Sequence, residues 1–128
     1  MREKMKRYEL ANNVDVNTLI KSGFREGGFI KEMPSPKYFY YKYLLNDIEL
    51  HVEVSVNADG TLFFDDYTSV YVIDDTFGQP YMPFYNEEFD SHYLNKVIIK
   101  YNEAMDSLVE KGIFKKLKKK NKEKVLEK

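Results

Sequence analysis

A chain of 128 residues, 43% hydrophobic and 32% charged, is one domain's worth and is globular rather than disordered in composition. No apolar run reaches the length of a membrane-spanning helix, the first ten residues lack the apolar stretch of a secretion signal, and cysteine is absent. Together these exclude disulfides, thiolate metal sites and cysteine nucleophiles, and they make a cytoplasmic protein with no membrane partner the expectation.

The formal net charge of −1 conceals a partition: residues 1–7 carry +3, residues 115–128 carry +6, and residues 8–114 carry −10. Between Lys42 and Lys96 there is no lysine or arginine, only eleven carboxylates. The expected organisation is a basic segment (1–14), one domain (15–114) and a Lys-rich tail (115–128). Such asymmetry shapes the potential of a folded body.

Asp15 is a good N-cap for a short helix over residues 15–22, which Gly23 stops. Gly27 and Gly28 read as a turn, and residues 29–33 as a strand start broken by Pro34 and Pro36. An aromatic strand follows over residues 38–45, then a turn at Asn46 and Asp47. Residues 48–56 alternate strictly, with Ile48, Leu50, Val52, Val54 and Val56 on one side and Glu49, His51, Glu53 and Ser55 on the other. That is the signature of a half-buried antiparallel strand. A turn at residues 57–60, a strand with Leu62 and Phe64 inward, and a further strand over 69–73 complete a meander.

Gly78, Pro80 and Pro83 predict a packed loop over 76–85. Asn86 then reads as the cap of a long helix with Glu87, Glu88 and Asp90 in its first turn. Its apolar stripe runs through Phe89, Tyr93, Val97, Tyr101, Met105 and Leu108, and Gly112 ends it. The fold class is therefore α+β: an antiparallel β-meander of four to five strands, a long C-terminal helix packed on one face, and a short N-terminal helix.

Four groups of side chains are candidate binding residues. Glu49 and Glu53 flank His51 on the solvent side of the alternating strand. Three ligand-type groups there would suit a cation, but no HxH or HExxH motif completes a metal site, so a solvated strand face is the simpler reading. Asp65, Asp66, Asp74 and Asp75 sit at strand ends, where crowding would favour a cation and ordinary turn chemistry would not. Tyr38 and Tyr40, with Tyr81 and Tyr85, are candidate aromatic contacts; alternation sets Tyr38 and Tyr40 against Phe39, Tyr41 and Tyr43, and one set has to lie at the surface. Lys115, Lys116, Lys118, Lys119 and Lys120 would meet phosphates or serve solubility. No catalytic signature, phosphate loop or cofactor motif is present.

The segment YVIDDTFGQPYMPFY followed by FDSHYLNKVIIKYNEAMDSLVEKGIF resembles a small uncharacterised α+β domain of low-GC Gram-positive bacteria and their phages, similar to the segment attached to some MmcQ/YjbR-type proteins. The resemblance covers residues 15–114, leaves out the basic ends, and implies no catalytic residue. Composition and charge point to a small non-enzymatic binding protein without cofactors. It would present an acidic, tyrosine-bearing surface to a basic protein partner, as a phage or mobile-element accessory or inhibitor protein would. Two alternatives are a nucleic-acid binder using the Lys-rich tail and exposed tyrosines, and a metal-dependent enzyme built on the acidic residues.

Overall fold

The alternation of residues 48–56 decides the architecture. Ile48, Leu50, Val52 and Val54 are buried, and the intervening Glu49, His51, Glu53 and Ser55 face the other way. In the computed structural model, which describes residues 2–27 and 36–117, this strand is the centre of a six-stranded antiparallel sheet. The elements in chain order are β1 (Tyr8–Leu10), α1 (Val16–Lys21), β2 (Arg25–Gly27), β3 (Lys37–Leu45), β4 (Ile48–Val56), β5 (Leu62–Phe63), β6 (Val70–Asp74), β7 (Gln79–Pro80), α2 (Met82–Tyr85), α3 (His92–Glu110) and β8 (Phe114–Lys116).

The strand order is β2-β3-β4-β6-β7, and β5 also pairs with β4. β5 and β6 share one side of β4: Phe63 and Leu62 lie opposite Ser55 and Val56, while β6 pairs along residues 48–52. Residues 64–69 leave the sheet between them, and Glu53 N–H donating to Ser69 C=O at 2.8 Å restores the ladder. α3 covers the inner face with Leu94, Val97, Ile98, Tyr101, Met105 and Leu108, which are buried with Leu50, Val52, Val54, Val70 and Val72 in one core. The expected α+β class, with a long helix on one face of an antiparallel sheet, is what forms.

Local chemistry sets the element ends. Asp15 accepts from Thr18 N–H at 2.9 Å and starts α1; Gly23 leaves it at φ 106°. The long helix starts later than its sequence suggests, because Ser91, not Asn86, is its cap, accepting from Leu94 N–H at 3.0 Å. Asn86 instead accepts from Glu88 N–H in a turn, so Glu87, Glu88 and Asp90 precede the helix and Phe89 lies outside its stripe. Residues 76–85 are not an irregular loop. Gly78, at φ 64°, turns the chain into edge strand β7, where Pro80 lacks only an outward-facing donor, and Pro83 occupies the first turn of α2, where proline is tolerated. β2 extends into Gly27, where a turn was expected; the strand expected over 29–33 lies outside the described residues.

A second sheet joins the two basic ends. β1 pairs with β8, Tyr8 opposite Lys116 and Leu10 opposite Phe114. Tyr8 is only 1% exposed, and Phe114 packs at a tilt against Phe64 with ring centres 4.4 Å apart, so both segments enter the core. The preceding arm is fastened along α3. Glu3 N–H donates to Asn95 Oδ1, Lys6 N–H to Asn102 Oδ1, and Asn102 Nδ2 to Lys4 C=O. The Arg2 guanidinium donates to the carbonyls of Pro83, Phe84, Asn86 and Phe89, the carbonyl-rich end of α2 and the turn after it.

Arg7 locks this arm to residues 64–69. Its Nε and Nη2 make a two-pronged contact with Asp66 at 2.6 and 2.7 Å, and its guanidinium lies 3.6 Å over the Tyr67 ring. Burial alone would raise the Asp66 pKa; Arg7 and the Tyr8 N–H, donating at 3.0 Å, outweigh it and hold the carboxyl below the usual range. A carboxylate depressed in this way stabilises the fold above its unfolded pKa, and the contribution is lost as pH falls through the folded value. Arg7→Ala should therefore cost about 3 kcal/mol at neutral pH, because it strands a nearly buried carboxylate. The deficit relative to the parent should shrink below about pH 4. Urea unfolding of both proteins across pH 3–7 checks this, and a deficit independent of pH would remove the ion pair as its cause.

Candidate functional site

α3 covers one face of the sheet, and the register fixes what the other face displays. Opposed residues share a face, so three rows cross it: Phe39 with Glu53; Tyr41 with His51 and Tyr71; Tyr43 with Glu49 and Ile73. Phe63, beside Ser55, and Arg25, beside Phe39, extend the face at two borders. Tyr41, Tyr43, Phe63 and Tyr71 are all exposed, Tyr41 and Tyr43 by more than half. Antiparallel sheets commonly leave one face to water, but usually with polar residues on it. Four exposed aromatics among carboxylates make this face the candidate site.

The side chains are already ordered against one another. Phe39 and Tyr41 lie almost parallel with ring centres 6.0 Å apart, and Tyr41 meets the His51 ring edge-on at 4.5 Å. His51 Nε2 lies 2.9 Å from Glu49 Oε1. Glu53 takes Lys37 Nζ at 3.2 Å and the Tyr71 hydroxyl at 3.4 Å. At the far end the Tyr43 hydroxyl donates to Asp75, and Asp47 accepts from Thr76 Oγ1 at 2.9 Å. The face thus grades from a cationic corner at Arg25 and Lys37 to an anionic one at Tyr43, Glu49, Asp47 and Asp75. Nothing in this arrangement supplies a nucleophile with its base; it offers flat apolar rings and negative charge.

The sequence-predicted residues divide. Glu49 and Glu53 are on the face. Asp75 borders it through Tyr43, and Asp74 accepts from Thr76 N–H in the adjoining turn. Asp65 accepts from Tyr67 N–H, and Asp66 is held by Arg7. The two aspartate pairs stand at opposite ends of β6, a five-residue strand, so they do not crowd. Among the described residues no group of three or more histidine, aspartate or glutamate side chains is placed to hold a metal ion.

Tyr38 and Tyr40 point inward and pack on the core, Tyr40 against Phe24; Tyr81 also packs there, against Tyr93. Tyr85 accepts from Val72 N–H at 2.8 Å. Tyr85 is exposed, but on the open sheet face the surface tyrosines are the alternate set, Tyr41 and Tyr43, with Tyr71. Pairing parity is the signal that finds them, since they share a face with Glu49 and Glu53. Lys115 lies 3.8 Å from Glu9 and Lys116 3.6 Å from Asp106; Lys118, Lys119 and Lys120 lie outside the described residues. Two clefts of about 650 and 560 Å³ lie away from this face, beside the start of α1 and under the N-terminal arm. No described helix is long and apolar enough to cross a membrane.

Fold and face together define a small α+β protein in which, among the described residues, α3 covers one sheet face and the other displays exposed aromatics beside Glu49 and Glu53. Compared with protein-family models, curated proteins and solved structures, the chain matches none. The geometry of the face therefore carries the functional reading.

The anionic corner has a measurable signature. Donation to Asp75, with Glu49 and Asp47 nearby, disfavours the phenolate and pushes the Tyr43 pKa up to about 12. Asp75→Asn should bring it back toward the ordinary tyrosine value of about 10. An NMR pH titration of the Tyr43 ring signals reads this directly, and an unchanged pKa would break the assigned contact.

Proposed function

We propose that this chain is a binding protein whose open sheet face receives a basic segment of a partner protein. The observation that carries the reading is the co-display of exposed Tyr41, Tyr43 and Tyr71 with Glu49 and Glu53 on one uncovered face. Aromatic faces attract lysine and arginine through their ring quadrupoles, and carboxylates beside them add Coulomb attraction. The same carboxylates disfavour nucleic acid, whose phosphates need cations. Charge supports the choice of partner too, since residues 43–95 contain no lysine or arginine. A partner bound in this way is steered by charge and anchored by rings, with no chemistry asked of the site.

The test is fluorescence anisotropy with a labelled lysine-rich peptide at low and moderate salt. Binding should weaken as salt rises. Glu49→Gln with Glu53→Gln should weaken it further, and Tyr41→Ala should cost about tenfold in Kd, the loss of one aromatic anchor. Asp59→Asn, in a turn away from the face, serves as the control. Parent-like binding by both face variants would sink the reading.

A further inference from the structure

The ladder between β3 and β4 determines what the outer edge of β3 offers. Val56 N–H donates to Pro36 C=O at 3.0 Å, so even-numbered β3 residues exchange the bonds with β4 and odd-numbered ones turn their N–H and C=O groups away from it. β2 takes up Lys37 and Phe39, opposite Gly27 and Arg25, and its pairing stops there. β3 continues to Leu45, and among the described residues no strand pairs with this side beyond Phe39. Tyr41 and Tyr43 therefore present two donors and two acceptors on an open edge, and Lys42 between them is exposed as well.

Two different walls flank this edge. On the open face stand the Tyr41 and Tyr43 rings, with Glu49 opposite Tyr43 and Asp75 on its hydroxyl. On the other side a groove of about 310 Å³ runs between β3 and α3, lined by Lys42, Leu44, Lys100, Glu103, Ala104 and Ser107. Ala104 keeps its floor low, and Lys100 and Glu103 approach to 3.6 Å, so Lys42 gives the groove a net positive rim.

The geometry points to strand addition at this edge: an extended segment of the basic partner pairs antiparallel with residues 41–43 and extends the sheet. This rests on the reading of the open face as the site for a basic partner, and it adds how that partner's backbone is held. Residues opposite Tyr41 and Tyr43 fall on the open face, where lysine or arginine meets rings and carboxylates. The residue between them enters the groove beside Lys42 and is small or acidic. A second copy of this chain suits the edge poorly. Setting Tyr41 opposite Tyr43 of a second copy brings Lys42 directly against Lys42. Setting Tyr41 opposite Tyr41 asks Phe39, already paired with Arg25, to pair again.

Three labelled peptides of alternating lysine and alanine test this: unmodified, N-methylated at the lysine amides, and N-methylated at the alanine amides. In an added antiparallel strand the lysine N–H groups bond Tyr41 and Tyr43, and the alanine N–H groups face away. The unmodified and alanine-methylated peptides should bind alike, and the lysine-methylated one about tenfold more weakly, having lost its ladder donors. Equal binding of all three, still weakened by Glu49→Gln with Glu53→Gln, overturns strand addition and leaves the face reading standing. Failure of all three to bind ends both. Sedimentation as a concentration-dependent dimer with the Tyr41 amide protected from hydrogen exchange assigns the edge to a second copy and overturns the proposal.

Discussion

A single helix can cover only one face of a sheet, and here the choice of face is made by β4. Leu50, Val52 and Val54 are completely buried against the α3 side chains Val97, Ile98, Met105 and Leu108. Each such burial contributes roughly 1.5–3 kcal/mol, against about 0–1 kcal/mol for an exposed ion pair. Shifting the register by one residue would place Glu49, His51 and Glu53 in the core and lose every one of those burials at once. Parity on β4 then dictates parity on β3 and β6 through the ladder. Exposure of Tyr41, Tyr43 and Tyr71 is the consequence of a core that leaves those positions no other place. The candidate site is thus the reverse side of the main stabilising contact, held rigid by it.

The charged ends show a second consequence of tight packing. As sequence, the basic segment and the Lys-rich tail look like appendages of an acidic body. In the fold, Arg2 satisfies carbonyls, Arg7 grips Asp66, and Lys6 meets Asp106 at 2.9 Å. Tyr8 donates to the same Asp106 at 2.8 Å, and Lys116 approaches it too. Arg2, Lys6, Arg7 and Lys116 are therefore engaged by carboxylates and carbonyls of the body, and Lys115 by Glu9 of the other end. The carboxylates of the sheet face are differently placed: Glu49 has His51 as its contact, and Glu53 has Lys37 and the hydroxyls of Tyr71 and Ser55. Internal pairing of the ends leaves the anionic corner of the face without a matching cation from the described part of the same chain.

What the sequence made legible follows from the size of the signal. Nine alternating residues defined β4, an Asp15 cap defined α1, and an apolar stripe defined α3. The elements that escaped have two to four residues: β2, β7, α2 and the β1–β8 pair. Periods of 2 and 3.6 have no meaning over so few residues, and these elements exist because partners distant in sequence hold them. The start of α3 was misplaced because Asn86 and Ser91 are both good caps, and only tertiary packing of residues 86–90 on the arm decides between them. The site was half legible. Glu49 and Glu53 followed from β4 alone, whereas choosing Tyr41 and Tyr43 over Tyr38 and Tyr40 needed the pairing register, which a turn of two residues with a bulge at its strand end obscures.

An open face next to an open edge is ordinarily a hazard, because a flat apolar edge recruits any strand, including its own copy. Several features of β3 narrow that recruitment. Lys42 projects at the middle of the free stretch, and the register irregularity between Tyr43 and Leu45 ends the regular ladder directly after it. Only two residues offer outward bonds, so the backbone contribution stays small and depends on what the side chains add. Main-chain bonds are indifferent to sequence; the rows on either side are not. On one side stand tyrosine rings backed by Glu49 and Asp75, on the other a shallow groove with a lysine at its rim. A strand satisfying both would have to alternate in charge or size, and under the proposed strand addition that requirement, rather than the edge itself, would supply the selectivity.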